Sequence, residues 1–563
     1  MLRFLFLLLL LSPGPGGKSD FRDLRREEII DCSPAPSAIV APDADGRYAP
    51  VFPGWGHYHY PIGTTSDSAQ FYFDQGLSLY YGYHFTESLA SFKEAARRDS
   101  GCLMAWWGQA LAMGPYYNNT YTYRMPAEVL PVLVRMNQLT ANAPAREQDL
   151  AVVMNRRYST DESDSRRSDL NNAYSEGMKE LIGKYPDDKD IKALYIDGRM
   201  TEHAWDMFDS KWQPRPWTPE LIRFCEEILA ADAYHPAALH YHIHLLEASL
   251  HPEVTLSSAD KLHVLMPGVA HMVHMSSHSY QRAGLFSKGV FINDSASEAQ
   301  VRYEVLARNL KLDSDVIHYH AVEAFCALNG GMYVKAIQEA NKCRQIASTK
   351  RTATNMYLQY LYSMPVFVDV RLGKWKSLLD RSAPDTSWAY AWILHEFGRG
   401  MAFLRRGDDQ AAKTCLDSIQ KSIKDHPGLM KWVRPTNPPS TGAIIAAGIL
   451  QGEIEFARGR QTDAMETFTR TRAIEDEMIY REPKDWMLPV RQYVGTHLLE
   501  MRQAEGAEKT FREDLVHNPG NGWALLGLAK SLASQHKDSA AGYRAQAMKT
   551  FGYAEETPVG AVY

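Results

Sequence analysis

The chain has 563 residues, 45% hydrophobic and 23% charged, and 61 basic against 67 acidic side chains give a net charge of −6. That apolar content buries a large core and excludes a chain disordered throughout. The acidic balance excludes a nucleic-acid binder that relies on a basic surface, so no nucleic-acid partner is expected.

Arg3 precedes eight consecutive apolar residues, 4–11, and a Ser/Pro/Gly stretch follows at 12–17. The pattern predicts a secretory signal peptide over residues 1–18 and a secreted or periplasmic protein. Eight apolar residues are too few to cross a bilayer, and no later segment reaches the length of a membrane span. Residues 19–66 form an irregular lead-in, rich from 31 onward in Pro, Gly and aromatics, that is expected to fold onto the domain behind it. Within it, His57-Tyr58-His59-Tyr60 sets two histidines on one face of an extended segment. They are a second candidate metal pair if the lead-in folds over a central site. The alternative is aromatic packing.

From residue 67 the pattern is helical. With Gly76 at position 8 of a 34-residue helix–turn–helix unit, Tyr72 falls at position 4, Phe92 at 24 and Ala95 at 27. Adding 34 gives Trp106 and Ala110 as the next large–small pair. Position 8 is where paired helices approach most closely, so a small side chain belongs there. Residues 67–310 are read as an N-terminal helical region with these repeats, and 311–555 as a C-terminal array. In the latter, Gly400 pairs with Ala412, Gly452 with Ala464 and Phe468, and Gly495 with Ala507 and Phe511. Trp523 with Leu526 and Gly527 reopens the motif, and Ala324 with Ala336 gives a degenerate copy. The fold class predicted is all-α, a tetratricopeptide (TPR)-type α-solenoid with an irregular lead-in.

The residues also resemble a known group. Phe73-Asp74-Gln75-Gly76-Leu77, Met104-Ala105-Trp106-Trp107-Gly108 and Leu239-His240-Tyr241-His242-Ile243-His244 carry the likeness. So do Val273-His274-Met275, Ser277-His278 and Leu488-Pro489-Val490-Arg491-Gln492-Tyr493. Over most of 55–555 the chain is similar to secreted or periplasmic bacterial TPR proteins of unassigned function. The resemblance implies the fold and almost nothing about activity. It departs at Thr201-Glu202-His203, which leaves His203 without support as a site residue.

Histidines carry the functional signal. His240 and His244 are one helical turn apart, with Glu247 continuing that face, and His274 and His278 repeat the spacing 34 residues later. An i, i+4 histidine pair chelates transition metals, and helical arrays build such sites from facing side chains. If the register holds, the pairs occupy positions 4 and 8 of successive repeats. The candidate metal site is His240, His244, His274 and His278, with Glu247, His271 and His320 as further ligands or supports and Asp260 as another acceptor. The expected cofactor is a transition metal: Cu, Zn or Fe. The alternative is a hydrogen-bonded polar seam or a ligand groove.

Six cysteines (Cys32, Cys102, Cys225, Cys326, Cys343, Cys415) show no CxxC spacing, and Cys326 and Cys343 read as buried small residues. Asn118-Asn119-Thr120 and Asn293-Asp294-Ser295 match the glycosylation acceptor pattern. No GxSxG elbow or dinucleotide fingerprint occurs, and His395-Glu396 lacks the second histidine of a zincin because Arg399 stands there. Two functions follow. One is an interaction scaffold that binds a peptide, a protein segment or a small molecule in its concave groove, with Trp106, Trp107, Tyr116, Tyr117, Asn118 and Asn119 as contacts; for Trp106, core packing is expected instead. The other is a metalloenzyme, a Cu/Fe oxidoreductase or a Zn hydrolase, built on the same superhelix.

Overall fold

The computed structural model describes residues 37, 39–161, 164–312, 316–431 and 436–563. The predicted signal peptide, Cys32 and most of 19–38 lie outside the described residues. Successive antiparallel helical hairpins form the fold, beginning with Asp67–Tyr81 against Phe85–Arg98 and ending with Gly522–Ser534 against Ala540–Thr550. Among the described residues there is no β-sheet, only an isolated bridge between Phe208 and Pro214. None of their helices is long and apolar enough to cross a membrane. The fold is a TPR-type α-solenoid.

Glycine–aromatic interlocks show why the repeats stack. A Cβ on Gly76 would lie 2.8 Å from the Phe92 ring, and one on Gly108 only 2.4 Å from it. Phe92 therefore fills a slot between the first helices of two successive repeats. Phe511 does the same between Gly495 and Gly527, where an added Cβ would approach within 2.5 and 2.2 Å. In the second repeat Gly108, not Ala110, is thus the close-contact residue. The repeat step there is 32 residues, and the two-residue change rotates the helix. Trp107 is buried with its Nε1–H donated to the Leu150 carbonyl, 3.2 Å, while Trp106, expected in the core, is half-exposed.

The hairpin turns give an independent register. A residue of positive φ stands seven places after the small residue: Tyr83 after Gly76, Gly331 after Ala324, Gly407 after Gly400, Gly459 after Gly452 and Arg502 after Gly495. The same offset from Gly284, φ 74°, puts Ser277 at position 8 of the Ala270–Arg282 helix. His271, His274 and His278 then fall at positions 2, 5 and 9, one face of the helix. The expectation that histidines occupy the close-contact position is corrected: they line the inner face of the superhelix, where side chains have room.

Two seams close the molecule. At one, the Gly268 N–H donates to the Gly54 carbonyl, 2.9 Å, and a Cβ on Gly268 would fall 1.9 Å from the Pro53 oxygen. The lead-in is thereby fastened to the central repeats, and Tyr303 adds a hydroxyl bond to the Pro53 carbonyl, 3.0 Å. At the other, the Gly284 turn meets the backbone at Pro519 and Gly520, 2.5–2.7 Å from an added Cβ. Trp523 donates Nε1–H to the Asn329 carbonyl, 3.2 Å, beside it. The last repeats thus return to the middle ones. The loop between the Gln461–Asp476 and Val490–Glu500 helices, tied by Asn437 to Ile479 and by Tyr360 to the Lys484 carbonyl, carries Arg481 and Glu482 into the enclosed interior.

Candidate metal centre

Three inner helices bring the histidines together. Pro236–Leu246 starts with Pro at its first position, where a missing N–H costs nothing, and His235 accepts from the Ala238 N–H at its N-terminus. It presents His240 and His244. Ala270–Arg282, buried along its whole length, presents His271, His274 and His278, and Ile317–Asn329 presents His318. The six rings form two groups, His240/His244/His271 and His274/His278/His318. Within each, one nitrogen per ring lies within 4.8 Å of the others. The four histidines of the sequence prediction therefore do not share one sphere; they divide into two groups that face each other. Ring centroids across the divide are 6.2 Å apart for His271–His274 and 6.4 Å for His244–His278.

Four of the Nδ1 atoms are held from behind. His240 Nδ1 donates to the Tyr81 carbonyl, 2.7 Å, one of the free acceptors at the C-terminus of the Asp67–Tyr81 helix. His244 and His278 Nδ1 lie 3.0 and 2.7 Å from the two oxygens of one carboxylate, Glu247, so a single side chain spans both groups. His274 Nδ1 lies 2.6 Å from Asn293 Oδ1, and the Asn293 amide is oriented by donating Nδ2–H to the Gly289 carbonyl. A neutral imidazole carries one proton, so an Nδ1–H donated to an oxygen leaves Nε2 as a bare acceptor. His274 and His278 point these Nε2 atoms at each other, 3.0 Å apart, and His240 and His271 Nε2 lie 3.1 Å apart. With both Nδ1 protons donated to oxygen, two lone pairs face each other across the first contact. An ion about 2.05 Å from each nitrogen would see an angle of about 95°, suited to a metal with imidazole ligands.

Burial disfavours the protonation that would relieve that contact. Burial pushes the His244 imidazole down to about 3, and holds His240, His274 and His318 well below the usual histidine value. Burial lowers His278 too, opposed by the Glu247 carboxylate. Tyr83 lies against His240, His271 and His244 at centroid distances of 4.6, 5.2 and 5.9 Å, Tyr117 against His244 at 4.9 Å and Tyr319 against His274 at 4.3 Å. These rings exclude water, and neutral imidazoles with fixed tautomers are the form that binds metal.

His320 is not part of this cluster. At position 4 it turns toward the second helix of its hairpin, where Nδ1 meets Glu339 at 2.7 Å, and Lys335 pairs with both Glu339 and Glu323. His318, two residues earlier at position 2, faces inward in its place; its inner-face position was the signal available in the sequence. His57 and His59 are exposed, and His59 binds Asp74 at 2.8 Å. Their neighbours turn inward instead, with Tyr58 donating to Asp190, 2.6 Å, so this segment brings aromatics rather than ligands. Asp260 accepts from Tyr280 at the surface. His84, assigned no role from sequence, is buried: Nδ1 lies 2.8 Å from Glu87, and Nε2 accepts from the His271 backbone N–H at 3.4 Å. Asn118 and Asn293 of the two glycosylation motifs are buried, so neither presents an acceptor on the folded surface. Tyr116 and Tyr117 are buried too and offer no open groove contact. The five described cysteines are free and buried.

No family model and no curated protein matches the sequence. Among solved structures, the chain is similar to the human IFIT1 dimer with m7Gppp-AAAA, with 11% identity over 75% of this chain and 86% of that one and a TM-score of 0.34. Yeast Tom70 gives 10% identity, 80% and 92% coverage and a TM-score of 0.29. The TPR domain of P58(IPK) gives 12% identity, 83% and 98% coverage and a TM-score of 0.22.

Proposed function

We propose that this superhelix is the shell of a buried transition-metal centre, held by Nε2 atoms of His240, His244 and His271 on one side and His274, His278 and His318 on the other. The observation that carries the reading is the 3.0 Å contact between His274 and His278 Nε2, with both Nδ1 atoms committed to oxygen acceptors. A cation between such atoms replaces repulsion with coordination. Glu247, Asn293 and the Tyr81 carbonyl orient the rings and raise their basicity as ligands. The leader-like segment at 1–18 supports an exported protein. Burial of all six rings supports a scaffold whose partner at this face is a small molecule rather than an extended peptide.

The test is elemental analysis of protein made without a polyhistidine tag, as isolated and after incubation with Cu, Zn or Fe. Up to two equivalents per chain are expected, with loss of both in the His244→Gln/His278→Gln double variant. Absence of stoichiometric metal in both preparations overturns the reading.

A further inference from the structure

Resting on the metal-centre reading, we infer that the centre is dinuclear, with one cuprous ion in each three-histidine group, and that its ligand is dioxygen bound between the two ions.

The donor set selects the metal. Each group offers three buried imidazoles and no thiolate. The Glu247 oxygens face Nδ1 atoms, on the far side of the rings from the converging Nε2 atoms. Imidazole suits Zn, Cu, Fe and Ni, and with no anionic ligand an interior of low dielectric takes a monovalent ion, which among these means cuprous copper, at lower cost than a divalent one. Spacing makes the two ions a pair. Glu247 clamps His244 of one group and His278 of the other, and the groups face each other across ring distances of 6.2–6.4 Å. Tyr83, Tyr117 and Tyr319 wall the rings, which restricts the ligand to a few atoms.

Charge conservation selects the ligand. Glu247 and Glu482 are buried near His278, with Arg282 and Arg481 buried beside them. Two cuprous ions then add +2. When each gives one electron to dioxygen, one O–O bond of the double bond is lost and two cupric ions with one peroxide dianion result: 2 Cu(I) + O2 gives 2 Cu(II) + O2(2−). The sum stays +2, no proton moves, and no further reductant is needed. A buried, rigid site accommodates that change without importing charge.

The experiment loads the metal-free full chain with copper(I) under anaerobic conditions and then admits oxygen. Two copper ions per chain are expected, with uptake of one dioxygen per two coppers, a new near-ultraviolet charge-transfer band and reversal on purging. His318→Gln in one group and His271→Gln in the other should each retain about one copper while oxygen uptake falls at least tenfold, and His320→Gln should change neither. Two bound coppers without oxygen uptake, or undiminished uptake in both single-group variants, overturns this inference alone. Failure to bind copper, zinc or iron overturns the metal-centre reading beneath it.

Discussion

Glu247 is the residue on which the two histidine groups converge. It ends the Pro236–Leu246 helix, and its carboxylate reaches back to His244 and across to His278. An amide has one acceptor where the carboxylate has two, so Glu247→Gln should leave one of the two rings unoriented. Metal affinity is expected to fall 10–100-fold in a chelator competition, with the helical signal unchanged. Nearby, His242 Nδ1 pairs with the Ser258 hydroxyl, 2.9 Å, and burial pushes its imidazole down to about 4. The unfolded chain, with histidine near 6.5, binds the extra proton first, so this group leaves stability intact above about pH 6.5 and subtracts from it as pH falls toward 4. By pH 4.5 the loss is about 2.5 kcal/mol. Denaturant titration of the metal-free protein at pH 7 and 4.5 should show an acid-side loss that is smaller in His242→Gln than in the parent by about that amount. At this scale the sequence was legible where spacing alone decides. The i, i+4 pairs and Glu247 stand out, but choosing His318 over His320 requires knowing which helix face turns inward, and both faces of that helix are apolar enough to hide it.

Between residues and the whole molecule, the unit of stability is the interlock of an aromatic ring between two glycines. Gly108→Ala places a methyl 2.4 Å from the Phe92 ring, and overpacking of this kind costs about 1–3 kcal/mol. Thermal denaturation should show that loss. Gly183, exposed near the end of the Arg167–Lys184 helix with nothing within 4 Å of an added Cβ, should behave oppositely: Gly183→Ala gains about 0.5–1 kcal/mol by narrowing the unfolded ensemble. The repeat was readable because Gly76, Gly452 and Gly495 each have a Phe 16 places on. Its step was not, because Gly108 and Ala110 are both small and only the position of the Phe92 ring distinguishes 32 from 34. That ambiguity reversed the expected roles of Trp106 and Trp107, and a similar uncertainty in the Ala270–Arg282 helix put His278 where Ser277 stands.

Across the molecule, the enclosed interior depends on backbone meeting backbone at the Gly284–Gly520 and Gly54–Gly268 seams. Gly284 has φ 74° and no space for a side chain, so Gly284→Ala costs at least about 1–2 kcal/mol in backbone strain before the clash with Pro519 is relieved. The variant should lose metal to an external chelator faster than the parent and exchange its amides around 517–523 more readily, by mass-spectrometric hydrogen exchange. Neither seam is visible in the repeat pattern. Glycines 236 residues apart in the chain carry no periodic signal, and their pairing follows from how far each hairpin rotates.

An open solenoid tolerates changes in repeat number, because each unit touches only its neighbours and the array simply grows or shortens. The Gly284–Gly520 contact removes that freedom. Inserting or deleting one hairpin between Gly331 and Pro519 would carry Gly520 away from Gly284, and no local adjustment restores a contact fitted to less than 3 Å. Closure therefore fixes the count of repeats as firmly as a ring fixes its number of subunits.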